Sequence, residues 1–225
     1  MKTRIQFSLS PPIAALVFVL SSLAFATGLS TVSSDQALKR LMQGNARFVS
    51  GHLAYAGPEE IAQARSAVAK SQNPFAVIVG CSDSRVGPET VFDQGVGSLF
   101  VVRTAGEVMD TAALGSIEYA VEHLGTPLIV VLGHERCGAV SAAVAGATEH
   151  GHLAALLKAI EPAVKQTKGK PGDPVENAVR AQALDVAAQL QSTQPILAER
   201  VQAGKLKIVA ARYDLDTGKV ELLSP

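Results

Sequence analysis

The chain has 225 residues, is 48% hydrophobic and carries no formal net charge, with 20 basic and 20 acidic side chains. That length and apolar content suit a globular domain with one sizeable core and exclude a disordered chain. The charge balance supplies no basic face for nucleic acid or anionic lipid.

Lys2 and Arg4 precede a compact apolar run, Ile13 to Leu20, and Ala24-Phe25-Ala26 then sets small residues one apart. This layout predicts a secretory signal peptide over residues 1–26, cleaved after Ala26, with residues 27–225 as a single domain. The apolar run is too short for a comfortable membrane span, so no stable membrane insertion is expected after cleavage. The mature domain is expected to be periplasmic or secreted. Cleavage removes two basic residues and no acidic one, for a net charge of −2.

Helical periodicity from Ser33 to Gly51 predicts a first helix, with Ser33 and Gln36 suited to a capping box and Gly51 to the stop. A second helix is expected over Gly57 to Asn73, with Pro58 in its first turn and Pro74 ending it. Phe75 to Gly80 is apolar without alternation, the pattern of a strand buried on both faces of a parallel sheet. Ser98 to Val102 and Pro127 to Leu132 read the same way, the first reached through a short turn or helix at Pro88 to Phe92.

Asp110 to Leu124, Gly138 to Ala147 and Leu153 to Gln166 are expected helices, with Pro162 a candidate kink in the third. Lys168 to Pro174 is a loop, and Val175 to Val201 reads as one long helix interrupted near Pro195. Leu206 to Leu215 and Val220 to Leu223, joined by the turn Asp216 to Lys219, form a C-terminal edge hairpin. Strand alternating with helix predicts an α/β fold: a mostly parallel central sheet flanked by helices, with an N-terminal helical arm.

The chain contains two cysteines, Cys81 and Cys137, each following an apolar run. In an exported protein a structural disulfide is their generic use. Their settings point elsewhere: Cys81 is followed by Asp83 and Arg85, and Cys137 is preceded by His134 at the H-x-x-C spacing. Two thiolates and an imidazole at the carboxyl ends of neighbouring strands are a zinc-type ligand set with a fourth position open to water. The helix beginning at Gly138 would set its N-terminus beside Cys137 and favour the ionised sulfur. Asp83 has two competing roles: bound to the metal it shuts the site, and held by Arg85 it accepts a hydrogen bond from the nucleophilic water.

The motifs Cys81-Ser82-Asp83-Ser84-Arg85 and Gly133-His134-Glu135-Arg136-Cys137-Gly138-Ala139 resemble the two signatures of the β-class carbonic anhydrases. The resemblance runs from near Leu38 to Gly218. It implies one zinc ion per subunit on Cys81, His134 and Cys137, with Asp83 and Arg85 as the catalytic dyad and Asp83 as fourth ligand in a closed state. It implies a substrate pocket that includes Gln72, Phe100, Tyr119 and Gly138, and a homodimer or larger homo-oligomer clasped by its N-terminal helices. The implied reaction is attack of zinc hydroxide on carbon dioxide to give bicarbonate and a proton.

The chain departs from that pattern at Thr104, where asparagine is usual, and at Gly97-Ser98, which lacks a common aspartate. It contains no tryptophan, so the bicarbonate inhibition of one subgroup is not expected. His52, His123, His150 and His152 are candidate proton shuttles, a role that buffer can equally fill. Hydrolysis of carbonyl sulfide or carbon disulfide on the same scaffold, and noncatalytic zinc binding, are the alternatives. A thiol redox role lacks its C-x-x-C pair.

Overall fold

Three continuous apolar runs become the strands at the heart of the fold, β1 (Ala76–Cys81), β2 (Leu99–Thr104) and β3 (Leu128–His134). The computed structural model describes residues 32–55 and 57–224, so the expected signal peptide, residues 1–26 with its cut after Ala26, lies outside the described residues. With β4 (Lys207–Tyr213) and β5 (Val220–Leu223) they form one five-stranded sheet in the order β2-β1-β3-β4-β5. All pairings are parallel except β4 with β5, which is the expected edge hairpin.

Every residue of β1 and β3 is buried, as strands covered on both faces require. Val77 and Val79 of β1 and Ile129 and Val131 of β3 face one core. That core is closed by α4 (Thr111–Glu122), α7 (Pro174–Ser192) and α8 (Ile196–Gln202). Ala76 and Ile78 with Leu128, Val130 and Leu132 face the other, closed by α1 (Ser34–Ser50) and α3 (Pro88–Val91). Successive strand side chains point to opposite faces, so each strand feeds both cores.

The α1 helix has both halves of the capping box between Ser33 and Gln36, and Gly51 ends it at φ 74. Gly44 lets this helix come close to the end of α3, since a Cβ there would lie 1.8 Å from the Phe92 carbonyl oxygen. The second helix, α2 (Pro58–Val68), stops five residues before the expected Asn73. Lys70 to Asn73 offer no apolar side chain to bury, and Asn73 is biased to extended backbone by Pro74. Gln72 is therefore on an exposed segment beyond the helix, not at a helix end.

Two further helices complete the layers, α5 (Gly138–Val144) and α6 (His152–Thr167). Pro162 does not split α6; it lies on the solvent side, where water can satisfy the carbonyl that the proline leaves free. The interruption expected near Pro195, within the helical run from Val175 to Val201, is a full break into two helices. Pro195 cannot donate the needed N–H, and the side chains of Ser192 and Thr193 bond back to carbonyls of α7. Among the described residues no helix is long and apolar enough to cross a membrane.

Candidate metal centre

The strand order reverses between β1 and β3, and in such sheets the crevice outside the carboxyl ends at that point is where ligands collect. Cys81 is the last residue of β1 and His134 the last of β3, each one or two positions further along than the apolar runs alone suggest. Cys137 is the N-cap of α5. The topology thus brings the three expected ligands to one place. Their donor atoms lie within 4.8 Å of one another, and all three residues are buried.

The two sulfurs are 3.9 Å apart, nearly twice a covalent S–S distance, and both cysteines are free. His134 is fully buried; its Nδ1 lies 2.9 Å from the Glu135 carbonyl oxygen and its Nε2 has no partner. A carbonyl only accepts, so Nδ1 carries the proton and the lone pair on Nε2 is turned to the sulfurs. An orphaned imidazole nitrogen beside two unbonded sulfurs is costly in a dry interior and fits a borderline-soft divalent ion. The hydrogen bond between the two sulfurs lowers the Cys81 thiol against the opposing effect of burial, and the amides of Gly106 and Asp83 assist. That same bond and burial raise Cys137.

The backbone around Cys81 is pinned from β2. Arg103 donates from Nε to the Cys81 carbonyl at 2.8 Å and from Nη2 to the Asp83 carbonyl at 2.6 Å. The Gly106 amide donates to the Cys81 sulfur at 3.3 Å, from a turn whose φ of 63 glycine accepts. Neither Arg103 nor Gly106 was expected at the site; their signal is the polar and small cluster that ends β2.

After Cys81 the chain turns instead of staying extended, with the Val86 amide bonded to the Asp83 carbonyl. The turn still brings Asp83 and Arg85 together. Arg85 donates from Nε to Oδ1 at 2.9 Å and from Nη2 to Oδ2 at 2.7 Å, and its own amide adds a third bond at 2.9 Å. These hydrogen bonds, the side-chain ones foremost, hold the Asp83 carboxyl well below the usual range. Asp83 is thus in its Arg85-held arrangement, the one that competes with binding a metal.

Phe100, Tyr119 and Gln72 do not reach this centre within the chain. Phe100 pairs in register with Val77, four residues before Cys81, about 13 Å along the strand. Tyr119, half exposed, packs on Phe100 at 6.3 Å between ring centres. Gly138 does adjoin the site, as the first residue of α5, with open space where a Cβ would stand. His52, His123, His150 and His152 are all exposed.

Residue Glu107 carried no expectation from the sequence. It is buried, sits at φ 52, leaves Oε2 without a partner and lies beside Gly133. Burial raises its pKa well above the ordinary value, and the nearby Cys81 adds to the rise.

A family model described as carbonic anhydrase matches residues 76–220. Carbonic anhydrase 2 of Mycobacterium tuberculosis is 43% identical over 190 residues, covering 83% of this chain and 91% of that protein. Among solved structures, that of the β-carbonic anhydrase CcaA is similar with a TM-score of 0.65 and 25% identity, over 84% of this chain and 99% of the other. Two tetrameric β-carbonic anhydrases from Sordaria macrospora give a structure similar at a TM-score of 0.65 and 25% identity, over 85% and 98%.

Proposed function

Because this chain belongs to the β-class carbonic anhydrase family and is an enzyme of that family, we propose that it hydrates carbon dioxide with one zinc ion held by Cys81, His134 and Cys137. The observation that carries the ligand set is the buried, unpartnered Nε2 of His134 facing two unbonded sulfurs. When bound, zinc supplies a Lewis acid that makes a water molecule acidic enough to act as nucleophile.

The chain's own residues supply the rest. His134 is locked in one tautomer by the Glu135 carbonyl, which leaves Nε2 free to ligate. The Gly106 amide stabilises the Cys81 thiolate. Asp83 remains ionised and acceptor-only because Arg85 engages both its oxygens. Its Oδ2 lies 3.8 Å from His134 Nε2, so it faces the centre and can accept a proton-bearing group there, aiming the nucleophile's lone pair at carbon dioxide. Bicarbonate then leaves in exchange for water, and the proton that this water must lose passes to buffer or an exposed histidine.

The same reading includes a homo-oligomer. The α2 helix buries none of its residues, Ile61 and Val96 are exposed, and β2 lies at the edge of the sheet. A second copy covering that surface would place Phe100 and Tyr119 at a neighbouring subunit's centre, where they could line its substrate pocket with Gln72. It also includes export, supported by the basic, apolar and small-residue segments within residues 1–26. N-terminal sequencing of the exported chain tests that part, with Thr27 expected first.

Metal analysis combined with stopped-flow hydration of carbon dioxide tests the central claim, with Cys81→Ala as control. One zinc per chain and turnover that the substitution abolishes are expected. A metal-free, active protein would refute the proposal.

A further inference from the structure

His134 and Cys137 are joined by only two residues, and one of them, Arg136, has φ 52. A bulky side chain holds that left-handed backbone only when its surroundings enforce it. The enforcement comes from the turn between β4 and β5. The Glu135 amide donates to the Tyr213 carbonyl at 2.9 Å, and Glu135 Oε2 accepts the Leu215 amide at 3.1 Å. Its Oε1 accepts from Arg136 at 3.0 Å and lies 3.7 Å from Arg212 Nη2. Arg136 also makes a two-pronged pair with Asp216, at 2.9 and 2.8 Å.

These contacts differ in weight. Arg136 and Asp216 have side chains 51% and 69% exposed, so water and salt screen their pair. Glu135 and Arg212 are 20% and 11% exposed. Arg212 is itself fixed by Asp214 at 2.8 Å and by Glu176 of α7 at 2.8 Å. The clustered carboxylates of Glu135, Asp214 and Asp216 are each engaged by an arginine, which accounts for their proximity.

We propose that Glu135 is a positioning residue for the metal ligands: seated on the Leu215 amide beside Arg212, its carboxylate holds the strained link that keeps His134 and Cys137 converged. This rests on the zinc reading of the centre. The loop is short, so its ligands cannot converge independently of its backbone. Release of the Glu135 side chain lets Arg136 relax and moves Cys137 away from the imidazole.

Zinc release to a chromophoric chelator, together with the visible spectrum of the cobalt-substituted protein, tests the proposal on wild type, E135A, E135Q and D216N. Release from E135A is expected to be about 10- to 100-fold faster, with a weakened thiolate-to-cobalt band. E135Q keeps an acceptor for the Leu215 amide and should recover most of the loss. D216N should stay within about threefold of wild type, as an exposed pair predicts. If E135A does not fold, an R212K variant carries the test, expected to release zinc faster than both E135Q and D216N. Wild-type release from E135A, or release from R212K equal to that from D216N, overturns the proposal while leaving the zinc site intact. A wild-type chain that takes up no zinc overturns the reading beneath it.

Discussion

Asp83 is held by Arg85 on both oxygens, and its Oδ2 lies 3.8 Å from the unpartnered Nε2 of His134. The carboxylate thus faces the metal centre without belonging to its cluster of donor atoms. Asp83→Asn keeps the shape and removes the charge. Hydration of carbon dioxide should fall about 10- to 100-fold while zinc content stays at one per chain. Zinc lost together with activity would identify Asp83 as a ligand instead.

The acid side of the activity profile should not report Asp83. Its folded pKa is lowered, so the stability the Arg85 pair contributes is fully present above the unfolded value of about 3.9 and is lost only as pH falls through the lower folded value. Activity should instead climb between about pH 7 and 9, because two thiolates leave the ion a weaker acid than three histidines would. Stopped-flow rates flat across that range would contradict the ligand set.

Glu107 makes the opposite prediction. Its folded pKa is raised, so above the unfolded value of about 4.3 the unfolded chain sheds a proton that the folded chain keeps. Stability should decline as pH rises, by up to about 1.4 kcal/mol per pH unit, until the folded value is passed. Glu107→Gln should flatten the slope. Urea denaturation of the metal-free protein across pH measures both, and parallel slopes would show that Glu107 keeps no extra proton.

Asn45 of α1 donates to the carbonyls of Val91 and Gly218, at 3.1 and 2.8 Å, and accepts the Val220 amide at 2.9 Å. Asn45→Ala leaves these groups unpaired beneath the helix. A loss of about 1–3 kcal/mol is expected in chemical denaturation. An unchanged midpoint would mean that water replaces the side chain.

Ile61→Asp should dissociate the proposed oligomer, since α2 buries nothing in its own chain and Ile61 is 47% exposed. Light scattering after size exclusion is expected to give the single-chain mass for the variant and a multiple of it for the parent. A single-chain mass for the parent would remove the oligomer from the reading.

The centre of this fold was legible because β1 and β3 are buried on both faces and therefore spelled in uninterrupted apolar residues. Cys81 and His134 end those runs, so their meeting follows from parallel topology alone. The Asp83–Arg85 pair was also legible, and a turn brings the two side chains together. Phe100 and Tyr119 were placed in the pocket by resemblance, and within the chain they pack on each other away from the centre. Glu107 and Arg136 escaped because a positive φ at a non-glycine residue leaves no mark in composition or period. The break at Pro195 was visible, yet how completely it separates α7 from α8 depended on Ser192 and Thr193 turning back onto the helix.

Cys81 and Cys137 are the chain's entire complement of sulfhydryls, and the site uses both. A colorimetric thiol titration therefore doubles as an occupancy gauge. Alkylating reagents should find two targets per polypeptide after chelation and almost none in the loaded enzyme, with no background from elsewhere to subtract.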